Sequence, residues 1–119
     1  MPTAADARAM LRAERGLVLA RLAALERDFT STVEAAVSAN ADDEHDPEGA
    51  TIAFERQQLA AHIDRARDQL RQVDAALARL DAGEFGICTR CGQPVAADRL
   101  AARPTASTCI ACAGRRPAR

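Results

Sequence analysis

Cys88-Thr89-Arg90-Cys91 and Cys109-Ile110-Ala111-Cys112, with seventeen residues between them, hold every cysteine of the 119-residue chain. Two paired steps of this kind are the spacing of a four-thiolate zinc site, because two residues between ligands let a tight turn aim both sulfurs at one small tetrahedral ion. With Cys88, Cys91, Cys109 and Cys112 filling all four positions, none is left for water or substrate. The ion is therefore expected to be one structural Zn2+, and the chain not an enzyme. Gly86 and Gly92 flank the first pair, as a knuckle turned tightly around bound sulfur requires. Phe85, Ile87, Val95 and Leu100 are the candidate apolar cover. So few apolar groups scarcely fold a module alone, and zinc binding, on the order of 10 kcal/mol or more, is expected to supply most of its stability.

The sequence before the cysteines reads as helix. From Ala4 to Ala39 apolar residues fall at Leu11, Val18, Leu22, Leu25, Phe29, Thr32 and Ala36, in steps of seven, four, three, four, three and four. That is a heptad seam. Thr3 followed by Asp6 resembles a capping box at its start, and Asn40 is the expected stop. A second seam runs through Ile52, Leu59, Ile63, Ala66, Leu70, Val73, Leu77 and Leu80 and ends at Asp81-Ala82-Gly83, where glycine can take the left-handed conformation that closes a helix. Between the seams, Pro47 lacks an amide hydrogen and suits a first helical turn, with Asp46 as its N-cap. Two arms of similar length imply an antiparallel pair, roughly 45 to 50 Å long at 1.5 Å per residue.

The fold expected is thus mainly α: a long antiparallel two-helix coiled-coil hairpin over residues 1–82 with an acidic tip at 41–49, then a four-cysteine zinc-finger module over 83–119 with a short flexible tail. Composition agrees. Hydrophobic residues make up 48% but aromatics only 3%, with no Trp or Tyr, so the apolar content is Ala and Leu suited to close helix contact rather than a broad core. No apolar run reaches the roughly 18 residues of a membrane span, and no basic-then-apolar segment opens the chain, so a cytoplasmic protein without a membrane partner is expected. Reduced thiols in that compartment favour metal ligation over disulfides. Net charge is -1, yet Asp42, Asp43, Glu44, Asp46 and Glu48 gather acid at the turn, a local negative field on a nearly neutral chain.

The run from Gly83 to Gly92, followed by Arg99-Leu100-Ala101-Ala102-Arg103-Pro104-Thr105 and the second cysteine pair, resembles the C4-type zinc finger of the DksA/TraR family. An acid-tipped helical hairpin ahead of that module is also the family's layout. The resemblance implies a regulator of bacterial transcription that binds RNA polymerase, places the hairpin in the secondary channel and modulates initiation through its tip, without sequence-specific DNA binding. It implies Asp42, Asp43, Glu44, Asp46 and Glu48 as the acids brought near the polymerase active centre. The family's tip pattern, Asp-x-x-Asp-x-Ala, is matched imperfectly in two registers: Asp43 and Asp46 with Glu48 where alanine is expected, or, counted back from Cys88, His45, Glu48 and Ala50 at the three positions. Arg99 and Arg103 are implied contacts to polymerase or to guanosine tetraphosphate, a nucleotide some members bind jointly with polymerase. Arg103 is retained, while Gln72 and Ala113 stand where lysines are expected.

Two other readings remain. A zinc-ribbon nucleic-acid binder calls for a basic surface and stacking aromatics, both scarce here. A zinc-stabilised coiled-coil adaptor calls for seams that pair between chains, whereas the intramolecular hairpin predicts a monomer.

Overall fold

The computed structural model describes residues 2–42 and 47–115, with the side chains of residues 39–42, 47 and 48 outside that description. The described residues form four helices, α1 (Ala4–Asp42), α2 (Pro47–Asp81), α3 (Ala97–Ala102) and α4 (Ile110–Ala113), and one isolated antiparallel bridge between Ile87 and Pro94. By contact the chain divides into two compact units, one made of Met1–Gly16 with Arg71–Arg119, the other of Leu17–Leu70.

The helix ends follow from local chemistry. Asp6 donates its backbone N–H to Thr3 Oγ1 at 3.1 Å, satisfying one amide that the first turn leaves without a carbonyl. α2 begins at Pro47, where a missing N–H costs nothing. α1 runs through Asp42, two residues past the stop expected at Asn40. Asparagine only weakly disfavours helix and Ala41 favours it, so nothing at Asn40 forces an end. The close of α2 is fully specified: Gly83 sits at φ +73°, its N–H donates to Leu80 O at 3.1 Å, and the Glu84 N–H donates to Arg79 O at 2.8 Å. Those are the two bonds of a Schellman cap.

In the first unit, Ala7 and Leu11 of α1 and Val73 and Ala76 of α2 are fully buried, with Leu77 and Leu80 half-buried. Arg8 pairs with Asp81 at 2.7 Å and Arg15 with Asp74 at 2.8 Å. A step of seven forward on α1 is matched by a step of seven back on α2, which is antiparallel heptad pairing read directly from the ion pairs. Exposed pairs of this kind contribute at most about 1 kcal/mol each, so they report register more than they create stability.

The second unit has its own share of seam positions. Val18, Ile63 and Ala66 are buried, and Leu22, Leu25, Phe29, Thr32, Ala36, Ile52, Leu59 and Leu70 are half-buried. Two facing helices alone can cover each other's stripes only partly, which is why most of these residues keep one edge in water. Arg67 approaches Glu26 of the facing helix at 3.6 Å. The hydroxyls of Thr30 and Thr32 donate to the carbonyls of Glu26 and Asp28 at 3.0 and 2.8 Å, so these polar residues stay satisfied inside α1.

Candidate metal centre

Each cysteine pair is carried by a different local device. Cys88 and Cys91 sit on a knuckle whose stem is closed by Val95 N–H donating to Gly86 O at 2.7 Å and Cys88 N–H donating to Gln93 O at 2.8 Å. The Gly92 N–H returns to Cys88 O at 2.9 Å with Gly92 at φ +75°, so a residue with a Cβ at that position would strain the turn. Cys109 is the N-cap of α4 and Cys112 lies three residues on, one helical turn, so their sulfurs share a face.

The residues inside the first pair tie the two devices together. Thr89 donates both its N–H and its Oγ1 to Ser107 O, at 2.9 and 3.1 Å. Arg90 Nη1 donates to Cys112 O at 2.9 Å and to Arg115 O at 3.3 Å. Neither role is legible from spacing, because Thr89 and Arg90 act on carbonyls about twenty residues away.

All four Sγ atoms lie within 4.8 Å of one another, and Cys91 and Cys109 are 3.7 Å apart. A zinc–sulfur bond of about 2.3 Å gives a tetrahedron with an edge of about 3.8 Å. The donor set therefore fits a tetrahedral, thiophilic divalent ion. The titration of the sulfurs points the same way. The backbone N–H of Cys109 is the largest influence on Cys88 and lowers it to about 6, and the N–H of Cys112 lowers Cys109. Cys112 is pushed up to about 12, first because its thiol is held by a hydrogen bond to Cys109 and then by burial. Crowded sulfurs thus resist full ionisation on their own, and a divalent cation is what makes four thiolates compatible.

The cover over the site is a small cluster of Cys88, Val95, Leu100, Ala106 and Cys112, with Phe85 and Cys109 packed against it. Ile87, expected in this cover, is 44% exposed: it pairs with Pro94 through backbone on the knuckle stem, which turns its side chain outward. Ala106, too small to stand out in the sequence, takes part instead. α3 supplies Leu100, and its end is set by Arg103, extended at φ −137° as the residue before Pro104 must be.

Of the arginines singled out in the sequence, Arg99 is half-buried and donates from Nε to Thr108 O at 3.0 Å. Arg103 is exposed and lines a cleft of about 350 Å³ with Gln72, Arg79 and Ser107. Burial lowers the Arg79 guanidinium there. Asp43, Glu44 and Asp46 lie outside the described residues, as do the side chains of Asp42 and Glu48. No helix among the described residues is long and apolar enough to cross a membrane.

Residues 83–118 match the prokaryotic dksA/traR C4-type zinc finger, and with the clustered cysteines this establishes one structural zinc site. The chain is 36% identical over 69 residues to the RNA polymerase-binding transcription factor DksA of Haemophilus influenzae, covering 56% of this chain and 48% of that one. It is 39% identical over 49 residues to the Escherichia coli protein of the same name, covering 41% and 32% respectively. The chain thus spans half the length or less of these curated relatives. It is also similar to the solved structure of transcription factor DksA2 from Pseudomonas aeruginosa, with a TM-score of 0.56 and 27% identity over 95% of this chain and 88% of that one.

Proposed function

We propose, for a chain that belongs through residues 83–118 to the prokaryotic dksA/traR C4-type zinc finger family, the role of a cytoplasmic regulator of bacterial transcription that acts by binding RNA polymerase. Residues 1–82 serve as a hairpin that enters the secondary channel, and residues 83–119 as a zinc-braced module that holds the polymerase surface outside it. Asp42, Asp43, Glu44, Asp46 and Glu48 are then carried toward the active centre, where their charge alters promoter-complex stability or nucleotide access during initiation. The protein acts as a monomer, non-covalently and without reading DNA sequence. With Gln72 and Ala113 in place of lysines, guanosine tetraphosphate is held weakly, through Arg103.

The observation that carries this reading is the extent of the likeness. A zinc finger alone occurs on many unrelated proteins, but the similarity to the Pseudomonas aeruginosa structure extends over 95% of this chain, both long helices included. The test is affinity capture with purified RNA polymerase, using the intact protein and Cys88→Ser, alongside transcription in vitro. Polymerase recovered by the intact protein and lost with Cys88→Ser supports the reading; no recovery together with unchanged transcription rules it out. Charge reversal at Asp43 and Asp46 abolishes regulation while leaving binding largely intact. Equal loss of binding makes the turn an anchor and defeats the division of labour.

A further inference from the structure

The chain has three phenylalanines, and two are committed to packing. Phe29 is half-buried on the α1 seam, and Phe85 packs against the cluster over the metal site. Phe54 of α2 is instead 61% exposed, although the seam residues Ile52 and Leu59 on either side of it in sequence are half-buried. An aromatic ring left in water forgoes burial free energy that a partner able to cover it recovers, and such rings are the side chains interfaces anchor on.

Phe54 is part of a concave surface. Within the Leu17–Leu70 unit it lines a groove of about 490 Å³ together with Leu59, Thr32, His62 and two carboxylate residues, Asp28 from α1 and Glu55 from α2. No arginine is among the groove's described lining residues. His62 Nδ1 lies 2.7 Å from Arg65 Nη2, and since a guanidinium only donates, the imidazole accepts there. The groove therefore offers an aromatic anchor and apolar wall beside two negative charges. With Arg65 held at His62, the two carboxylates still outnumber that cation beside the groove, a balance that disfavours a phosphate backbone. Two-fold pairing with a second copy would press the same acidic rim against itself.

We propose that this groove docks a cationic segment of RNA polymerase, one in which an apolar side chain lies beside Lys or Arg, so that the hairpin is gripped along its flank as well as by the metal module. The inference rests on the polymerase reading above and names a contact that reading lacks. The apolar side chain covers Phe54 and Leu59, and the neighbouring cations meet Asp28 and Glu55.

The test uses the full zinc-loaded chain and purified bacterial RNA polymerase. Phe54→Ala weakens binding by roughly tenfold or more, as central aromatic anchors do, while far-UV circular dichroism and zinc content match the unmodified protein. Glu55→Arg also weakens binding and flattens its dependence on salt. A benzophenone side chain at position 54 crosslinks to a polymerase segment of the stated composition. Unchanged affinity for Phe54→Ala, with binding of the unmodified chain intact, overturns the groove and leaves the polymerase reading standing. Absence of binding by the unmodified chain removes both. A dimer in light scattering that Phe54→Ala disperses assigns the groove to a second copy and overturns the proposal as well.

Discussion

Leu100→Ala is the sharpest test of how the metal module holds together. Leu100 is fully inaccessible and, with Leu11 and Val73, one of the largest side chains completely buried among the described residues. Its cluster otherwise consists of Val95, Ala106 and two metal-site cysteines, edged by Phe85 and Cys109. Cysteines fixed on a tetrahedron cannot move in to fill a void, and Ala106 is too small to, so the cavity persists and the cost is about 3 kcal/mol. Because folding of such a module and metal binding are one equilibrium, that loss appears as weaker zinc affinity, about a hundredfold at 1.4 kcal/mol per decade. The assay is chelator competition, with Co2+ substitution reporting the thiolate geometry. Ile110→Ala is the control: its side chain is 74% exposed and its removal should shift affinity by about twofold at most. Zinc affinity for Leu100→Ala within threefold of the unmodified protein would refute the coupling, and with it the claim that this cluster and the ion stabilise each other.

Gly83→Ala should cost about 1 to 2 kcal/mol in urea unfolding, since an added Cβ meets nothing within 4 Å and the entire penalty lies in the φ of +73°. Gly16→Ala, in the open interior of α1 with equal space around it, should stabilise by about 0.5 to 1 kcal/mol; the same sign for both substitutions would contradict the assigned backbone. Zinc affinity should rise with pH. In the metal-free module Cys88 is largely ionised above about 6, whereas Cys112, held near 12, must surrender a proton when metal binds. Acidification through 6 adds the cost of deprotonating Cys88 and should steepen the loss, so an affinity flat from pH 5.5 to 8.5 would exclude this account. A double-mutant cycle on Arg15 and Asp74 should give a coupling below about 1 kcal/mol, because both side chains remain substantially in water.

Most of the architecture is legible in the sequence because its determinants are local and periodic. Every seam position read from the heptads, from Leu11 to Ala36 and from Ile52 to Leu80, is buried or half-buried, and Thr3, Pro47 and Gly83 mark ends through chemistry that does not depend on distant residues. The cysteine spacing places the metal site for the same reason. What escapes is whatever depends on side-chain size or on long-range bonds. Ala7 and Ala76 are fully buried yet leave no mark on the seams, because alanine is common on every face of these helices and burial alone distinguishes the inward ones. α3 carries Leu100 into the cluster on only six residues, too short for periodicity to show. The clasp made by Thr89 and Arg90 uses backbone acceptors, which leave no trace in residue type.

The distribution of burial also explains why a metal belongs in this chain. Along the Leu17–Leu70 unit two helices cover each other only on one stripe, and most seam residues there keep partial exposure. Such a unit gains its stability by repetition over many turns, each contributing a partial burial, and can lengthen without ever acquiring a broad core. Residues 83–115 have no such option. They form two short helices and an isolated bridge around five buried residues, too little apolar area to offset the entropy of ordering a segment with so much irregular backbone. Four sulfurs already gathered within 4.8 Å supply through one ion the cross-links that area cannot. The arginines then act as local braces, Arg90 and Arg99 each reaching a carbonyl of the second cysteine segment or its approach. Their guanidinium groups suit this task because several donors leave one rigid plane, so a single side chain can hold two carbonyls, as Arg90 does with Cys112 and Arg115.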